Sequence, residues 1–214
     1  MPPEKKSYYG QIRTDVLELL PQNIKIEKSL DVGCGIGKTS AYLKSKYNIR
    51  ETVGMEYVPE IAQAAKANVD RVYELSLETD ELPFSQNEFD LILLADVLEH
   101  LVDPWTILKD LVQYLSTNGL VLISIPNIQH FRIFSYLIKG EWEYKDAGVL
   151  DKTHLRFFTK KSLLELLHCA DLEIVDIIYK MGPLTGFINK ITFRIFQGFL
   201  TYQYLILAQT KQKR

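Results

Sequence analysis

Three glycines alternate with other residues in the segment Asp31–Gly37, which directly follows a short apolar stretch. Glycine lets a ligand approach the backbone closely, and a helix that begins after such a loop offers free amide groups. A further acidic residue, Glu56, ends the next apolar stretch. A carboxylate there can accept hydrogen bonds from both hydroxyls of a ribose. The spacing therefore predicts a site for a nucleotide-like ligand.

Three classes of ligand compete for this loop. A phosphate-binding P-loop requires a glycine at the position of Val32, so the spacing is one residue short. A dinucleotide site requires a small residue at the position of Lys38. A loop for S-adenosylmethionine (SAM) has an acidic residue followed by Gly-x-Gly-x-Gly. Four residues match that pattern fully: Asp31, Gly33, Gly35 and Gly37. A glycine-rich turn without a ligand is the structural alternative.

Histidines are the candidates for proton transfer, and the chain has four of them. His100 follows Asp96 by about one helical turn, His130 follows a predicted strand, and His154 lies in a polar cluster. Histidines at such positions are more often structural than catalytic. Ligands bind beyond the carboxyl ends of parallel strands, however, so a catalytic role is more frequent for residues near those ends. We take His100 and His154 as catalytic candidates. Packing or the helix dipole explains His168.

These side chains must be positioned by elements that alternate along the chain. The predicted strands cover residues 29–32, 52–56, 71–75, 89–95, 120–125, 172–179 and 201–208. The predicted helices cover residues 8–20, 38–47, 104–116, 159–168 and 187–200, with another beginning at Pro59 and a turn at Asn118–Gly119. Strands that alternate with helices predict an α/β fold, a doubly wound, seven-stranded, mostly parallel sheet. The amphipathic helix at 187–200 is interpreted as packing on the sheet rather than anchoring to a membrane.

The composition fits one domain over residues 1–214. A formal net charge of -2 gives no reason to expect a nucleic-acid partner. The two cysteines, Cys34 and Cys169, cannot form a disulfide framework and lack the spacing of a metal site. We therefore predict that the protein binds no metal and that its thiols are reduced in the cytoplasm. A signal peptide and an integral membrane segment are also not expected, because polar residues interrupt the nearest apolar run, 186–207.

The connection after the fifth strand, residues 127–158, is longer than most connections and is predicted to be a helical insertion that builds an acceptor pocket. It is rich in aromatic residues: Phe131, Phe134, Tyr136, Trp142 and Tyr144. A packing role for the same insert is compatible with this prediction.

Two roles are open for the polar cluster near the end of this insertion. In the first role, which we favour slightly, an Asp151–Arg156 pair latches the insertion onto the sheet. In the second, His154 acts as a base or holds an acceptor hydroxyl.

The segment Leu30–Gly37 resembles motif I of the class I SAM-dependent methyltransferases. Leu82–Phe84, Phe89–Asp90 and Ala95–Pro104 resemble the next conserved stretch of that family. Ser124–Asn127 and Asp146–Thr159 resemble a subgroup common among cell-envelope and polysaccharide methyltransferases. The resemblance extends roughly over residues 8–211 and implies the Rossmann-like fold of this family, with SAM as the cofactor.

The resemblance also implies roles for single residues. Gly33 and Gly35 approach the methionine part of SAM with Asp31 nearby, and Glu56 holds the ribose. Tyr57 covers an adenine face, and Asp96 and Val97 border the reactive methyl group. The implied cofactor set is completed by Cys34, Gly37, Ser76 and Leu77. Ser76 departs from the many relatives that carry an aspartate there for the adenine amino group, although serine can also accept a hydrogen bond.

The expected activity is methyl transfer to a hydroxyl of a small molecule or a saccharide by in-line displacement, aided by alignment and a base. An N-methyltransferase, a SAM-binding accessory protein without turnover and a nicotinamide dehydrogenase are the alternatives. The oligomeric state is left open.

Overall fold

Helices and strands alternate along residues 10–211, which the computed structural model describes. In chain order they are α1 (Thr14–Leu17), β1 (Lys28–Val32), α2 (Lys38–Tyr47), β2 (Glu51–Met55), α3 (Pro59–Ala65), β3 (Arg71–Tyr73), β4 (Phe89–Ala95), a 3₁₀ helix (Leu98–His100), α4 (Pro104–Val112), β5 (Leu115–Pro126), α5 (Phe131–Ile138), α6 (Lys160–Cys169), β6 (Leu172–Lys180), α7 (Pro183–Ile191), α8 (Gln197–Leu200) and β7 (Gln203–Thr210).

The strands form one sheet in the order β3-β2-β1-β4-β5-β7-β6. Strands β1 to β5 are parallel to one another, whereas β7 is antiparallel to both β5 and β6. The strand order reverses between β1 and β4, and ligands of such sheets bind beyond the carboxyl ends of the strands at this point. The prediction of a doubly wound, mostly parallel, seven-stranded sheet is confirmed.

The apolar run of β4 explains why both faces of the sheet are covered. Ile92 and Leu94 pack in a core that includes α4 and α6, whereas Leu91 and Leu93 pack in a second core with α1 and α2. Because successive side chains of a strand point to opposite faces, a continuous apolar run supplies both cores. This burial holds the carboxyl end of β4 in the middle of the sheet.

Two of the predicted element boundaries near β5 are wrong. The helix predicted over 104–116 ends at Val112, and β5 begins at Leu115, so the predicted turn at Asn118–Gly119 lies inside the strand. The pairing with β4 shifts here, since Phe89 pairs with Leu115 but Leu91 pairs with Leu120. The extra residues of β5 form a bulge that sequence periodicity does not reveal.

The chain between β6 and β7 also differs from its prediction. Instead of one helix over 187–200, α7 and α8 are separated by residues 192–196. Within them, Phe193 and Arg194 have φ angles of 52° and 63° that break the helix. The side chains do not pack on the sheet as expected: Phe187 is exposed, and Phe193 is 88% exposed. Among residues 10–211, every helix is too short or too polar to span a bilayer.

The opening helix was predicted over 8–20, and the first two of those residues lie outside the described part of the chain. In the described part, only Thr14–Leu17 is helical, and Val16 and Leu17 are buried. The backbone amide of Arg13 donates to Thr39 Oγ1 at 3.2 Å, which ties this segment to α2. The helix is therefore shorter than predicted.

The insertion after β5 begins and ends at one place on the sheet. Asn127 and Phe158 form an isolated parallel bridge, and Ile128 N donates to Phe158 O at 3.0 Å. The Asn127 side chain donates to the carbonyls of Gly198 and Thr201, both at 2.7 Å. The insertion contains α5 and then irregular backbone up to α6, as predicted for a helical insertion at this point.

Candidate active site

The loops after β1, β2 and β4 meet at one edge of the sheet. Val32, the last residue of β1, pairs with Met55 of β2 and with Leu94 of β4. Because the strands are parallel and in this register, the residues that follow them share that edge. The register thus gathers the glycine loop, Glu56 and Asp96.

The glycine loop depends on backbone angles that favour glycine. Gly33, Gly35 and Gly37 have φ angles of 65°, 56° and 78°. A Cβ atom at Gly33 would lie 3.0 Å from Val97 Cγ2, and one at Gly37 would overlap Val69 Cγ2. Gly37 is the N-cap of α2, so the loop leads directly into a helix N-terminus.

Glu56 lies directly beside this loop. Its carboxylate accepts hydrogen bonds from Gly35 N at 3.1 Å and from Val58 N at 3.0 Å, one on each oxygen. The residue is 3% exposed, and burial raises the pKa of the carboxyl group while these backbone amides oppose the shift. Each carboxylate oxygen has two lone pairs and can accept a further donor. Tyr57, the next residue, is 70% exposed.

Asp31 is buried beneath the loop. Ser40 Oγ donates to Asp31 Oδ2 at 2.5 Å. Burial raises the pKa of Asp31 to about 7, the charge of Glu56 adds to the shift, and the hydrogen bond from Ser40 opposes it. The carboxyl group predicted to lie near the methionine part of SAM thus also joins β1 to α2.

Cys34 contributes packing and backbone to the loop. A Cβ atom at Gly54 would lie 2.7 Å from Cys34 Sγ, so the absence of a side chain in β2 makes room for the thiol. Cys34 N donates to Met55 O at 3.0 Å. Burial raises the pKa of the thiol, and the charges of Asp31 and Glu56 raise it further. The thiol is therefore protonated and unreactive at neutral pH.

Ser76 and Leu77 lie in the irregular segment after β3. Ser76 N donates to Asp80 Oδ2 at 2.8 Å, and Ser76 Oγ accepts from Glu78 N at 3.3 Å. Leu77 is half-buried against the core. Glu78 Oε1 accepts from Val102 N at 2.6 Å, which links this segment to the chain after β4. The adenine contacts expected of Ser76 and Leu77 stay predictions.

Asp96, directly after β4, has the left-handed φ angle of 57°. Its Oδ1 accepts from Ser124 Oγ and from Gln203 Nε2, both at 2.7 Å. The guanidinium of Arg13 forms an ion pair with Asp96 Oδ2. Sequence reasoning missed all three partners because they come from β5, β7 and the start of the chain. Val97, the next residue, is buried against Gly33.

The two histidines proposed as catalytic candidates lie in one cluster. The ring centroids of His100 and His154 are 4.8 Å apart, with the planes at 74°. His100 Nδ1 lies 3.2 Å from Thr153 O, and His154 Nδ1 lies 3.1 Å from Val149 O. A carbonyl oxygen only accepts hydrogen bonds, so both Nδ1 atoms carry the ring hydrogen. The Nε2 atom of each ring is then the unprotonated nitrogen. Burial lowers the pKa of His154.

The other two histidines lie elsewhere. His130 is the N-cap of α5, its ring lies 4.5 Å from that of Phe131, and burial lowers its pKa. His168 is exposed at the end of α6, with Nδ1 2.7 Å from Lys211 Nζ. Neither residue is part of the His100–His154 cluster.

The predicted Asp151–Arg156 pair is wrong. Asp151 Oδ1 instead accepts from Thr153 N at 2.8 Å and from Thr153 Oγ1 at 2.7 Å, as an aspartate does in a tight local turn. Arg156 Nε donates to Val102 O at 3.0 Å. Asp151 is turned to the adjacent Thr153 and Arg156 to the carbonyl of Val102, so no pair forms between the two side chains.

The insertion is nevertheless joined to the sheet edge at this point. Leu155 N and Arg156 N both donate to Glu99 O, at 2.8 Å and 3.0 Å. These bonds fix the segment with His154 against the 3₁₀ helix with His100. A latch is therefore present, made from backbone groups rather than from an ion pair.

The aromatic side chains of the insertion lie mostly at its surface. Phe134, Trp142 and Tyr144 are exposed. The Trp142 ring packs on Phe157 with centroids 5.7 Å apart. The acceptor pocket predicted from these aromatic residues stays a prediction. The insertion contributes His154 to the histidine cluster beside the sheet edge.

Comparison with known proteins identifies the family. The sequence model of the methyltransferase domain family matches residues 5–177. The chain belongs to this family of methyltransferase domains. The structure of a SAM-dependent methyltransferase from Thermotoga maritima, described as a possible histamine N-methyltransferase, has the same fold, with a TM-score of 0.64 and 20% identity over 97% of this chain and 91% of that one.

Relatives of this methyltransferase domain are named as O-methyltransferases and as an N-methyltransferase. Tocopherol O-methyltransferase of Arabidopsis thaliana is 34% identical over 107 residues, 46% of this chain and 30% of that protein. Ubiquinone biosynthesis O-methyltransferase of Cereibacter sphaeroides is 26% identical over 153 residues, 69% of this chain and 60% of that protein. The chain thus spans less than two thirds of the length of these relatives.

Buried Asp31 gives a pH-dependent term to stability. Between about pH 4, where an unfolded aspartate titrates, and the folded pKa of about 7, the folded protein keeps a proton that the unfolded chain releases. Its contribution to stability therefore falls as the pH rises. The free energy of unfolding of Asp31→Asn, relative to wild type, should be higher at about pH 8 than at about pH 5. Urea denaturation at both pH values measures it; an equal difference at both would contradict the assignment.

Proposed function

We propose that this protein transfers a methyl group from SAM to a hydroxyl of a small-molecule or saccharide acceptor. The observation that carries the proposal is the gathering of the glycine loop, Glu56, Asp96 and the pair His100–His154 by the sheet edge. The match to the methyltransferase family and the fold shared with SAM-dependent methyltransferases support SAM as the cofactor.

The residues of the edge fit this cofactor. Gly33 leaves the loop backbone bare where a side chain would meet Val97, so a ligand can approach it closely. Glu56 would accept the ribose hydroxyls, and exposed Tyr57 beside it would cover the adenine. Asp31 would lie beneath the methionine part of the cofactor, and Asp96 would border the reactive methyl group.

When bound, SAM supplies a methyl group that is already activated by a positively charged sulfur, with a neutral leaving group. The protein therefore needs no general acid, and its main contribution is alignment of the acceptor with the methyl group. Asp96 is well suited to border the reaction because three partners from separate elements hold its carboxylate in place.

A hydroxyl acceptor also has to lose a proton. Because burial lowers the pKa of His154, its ring is neutral at physiological pH, and its free Nε2 can accept that proton. His100 is a second acceptor beside it. This pair favours an alcohol or phenol over an amine, because a neutral amine needs no base. Relatives named as O-methyltransferases agree with this choice, although N-methyltransferases occur as well.

The resemblance of 146–159 to cell-envelope and polysaccharide methyltransferases favours a saccharide among such acceptors. The cytoplasmic location, the lack of a nucleic-acid partner and the single domain stay predictions from composition. An N-methyltransferase and an accessory protein without turnover are the alternatives to the proposed activity.

Loss of the Glu56 charge should weaken the cofactor. Hydrogen bonds to a charged group contribute about 1.5–3 kcal/mol, so Glu56→Gln should bind S-adenosylhomocysteine about ten- to a hundredfold more weakly. Calorimetric titration of the full chain measures this. Glu60→Gln, at an exposed glutamate of α3, is the matched control and should bind like wild type. Unchanged affinity in Glu56→Gln would place the ribose elsewhere.

His154 should matter for turnover and not for the cofactor. SAM with a labelled methyl group, incubated with the small-molecule fraction of a cell extract, should yield a product labelled on oxygen. His154→Asn should lower the labelling rate at least about a hundredfold with S-adenosylhomocysteine affinity unchanged. His168→Asn is the control and should keep the wild-type rate. Label on nitrogen, or no labelled product with wild type, would contradict hydroxyl methylation.

A further inference from the structure

A carboxylate without a partner is buried beside the histidine pair. Glu99 is 1% exposed, and within the described part of the chain neither of its carboxylate oxygens has a hydrogen-bond partner. Its backbone carbonyl, in contrast, accepts hydrogen bonds from Leu155 N and Arg156 N. An ionised carboxylate in this position is costly unless a cation compensates for it.

The carboxylate and the two imidazoles converge. One carboxylate oxygen of Glu99 and one ring nitrogen each of His100 and His154 all lie within 4.8 Å of one another. Zinc binds histidine nitrogen at about 2.0–2.1 Å and carboxylate oxygen at about 2.0–2.2 Å, so small side-chain rotations bring all three into range. The sequence prediction of no metal rested on cysteine spacing alone and did not consider this combination.

The histidines are also oriented as metal ligands are. A ligating histidine usually donates its other ring N–H to a carbonyl or carboxylate, which fixes the tautomer and the ring. Here Nδ1 of each ring faces a carbonyl oxygen, of Thr153 and of Val149. The Nε2 atoms are thus left unprotonated for a ligand.

From this geometry we propose that Glu99, His100 and His154 bind a divalent transition-metal ion at the acceptor side of the site. Two histidines and one carboxylate are a set that zinc, iron and manganese accept, with coordination positions left open for another oxygen ligand. Burial and the charge of Asp96 raise the pKa of Glu99 well above its usual range, and a bound cation would offset that penalty.

The role of the ion rests on the proposed function. An acceptor hydroxyl bound to the ion would lose its proton more readily, because the cation stabilises the alkoxide. The two imidazoles would then hold the ion instead of taking the proton themselves. The ion would lie where the insertion is hydrogen-bonded to the backbone of Glu99.

Binding of Zn²⁺ to the full chain, stripped with a chelator and without SAM or acceptor, tests the site. Calorimetry should show one equivalent bound by wild type and at least about a hundredfold weaker binding by Glu99→Gln and by His154→Asn. His168→Asn, at the exposed histidine beside Cys169, is the control for adventitious zinc and should leave this site intact. Failure of wild type to bind, or equal binding by Glu99→Gln, would overturn the proposal.

Thermal unfolding distinguishes loss of the metal site from a folding defect in these variants. Zn²⁺ should raise the Tm of wild type, because it binds only the folded state, and should leave the Tm of Glu99→Gln unchanged. Without metal, Glu99→Gln should be at least as stable as wild type, since a neutral amide replaces the buried carboxylate. The same zinc-induced shift in both proteins would contradict the site. None of these readouts depends on methyl transfer, so the two proposals fail separately.

A separate surface is formed by the apolar side chains of α5, α7 and the chain up to residue 199. Its exposed members are Phe134, Leu137, Ile138, Leu184, Phe187, Ile191, Phe193, Ile195, Phe196 and Phe199. The rings of Phe134 and Phe199 lie 5.7 Å apart, which joins the parts into one apolar surface. Exposed apolar areas of this extent mark interaction sites.

The charged residues of α5, α7 and the chain up to residue 199 are all basic, whereas Glu141 and Glu143 lie beyond the end of α5. Arg132, Lys139, Lys190 and Arg194 are exposed there. The sequence contains no acidic residue in 127–140 or in 177–214. We propose that the apolar surface binds to an anionic lipid membrane, with its aromatic and aliphatic side chains at the level of the headgroups and its cations at the lipid phosphates.

Co-sedimentation of the full chain with vesicles tests this proposal. Phosphatidylcholine vesicles that contain phosphatidylserine should bind the protein, and pure phosphatidylcholine vesicles should bind it much less. Arg194→Glu should lower the affinity at least about fivefold, and Phe187→Ser should lower it as well. Leu164→Ser, at an exposed leucine of α6, is the control. Equal binding to both vesicles, no binding, or a dimer in light scattering that Phe187→Ser dissociates would overturn the proposal.

Discussion

Asp96 is the residue on which the arrangement of this site depends. Its left-handed backbone turns the chain sharply at the end of β4, and aspartate is among the few residues other than glycine that tolerate this conformation. Hydrogen bonds to Ser124 and Gln203, together with the ion pair to Arg13, hold the turn. Without it, the 3₁₀ helix would not carry Glu99 and His100 back toward the sheet edge.

The sheet edge brings together two parts of the chain. The loops after β1 and β2, which we propose hold the cofactor, depend on glycine backbone angles and on Glu56. The chain after β4 and the insertion, which we propose hold the acceptor, are joined through the carbonyl of Glu99. Since the strands are parallel and in register, both parts open at the same edge, as methyl transfer between two bound ligands would require.

Four carboxylates gather at this edge, and their surroundings differ. Asp31 is protonated in part near neutral pH, Glu56 accepts two backbone amides, and Asp96 has a guanidinium partner. Glu99 differs because neither oxygen of its buried carboxyl group has a hydrogen-bond partner among the described residues. In the metal site that we propose, a cation would be that partner. The raised pKa of Glu99 also agrees with the expectation that perturbed groups concentrate at functional sites.

The sequence by itself determined the fold class and the glycine loop that leads into α2, because both are encoded in local patterns. An apolar run such as Phe89–Ala95 specifies a buried strand through its own residues. Glycines that need positive φ angles specify a loop in the same local way. Tertiary structure alone decided the partners of Asp96 and the meeting of His100 with His154, which lie more than fifty positions apart along the chain. It also decided the break between α7 and α8 and the exposure of their apolar side chains. Such contacts depend on which elements the sheet brings together, and no periodicity in the chain reports that.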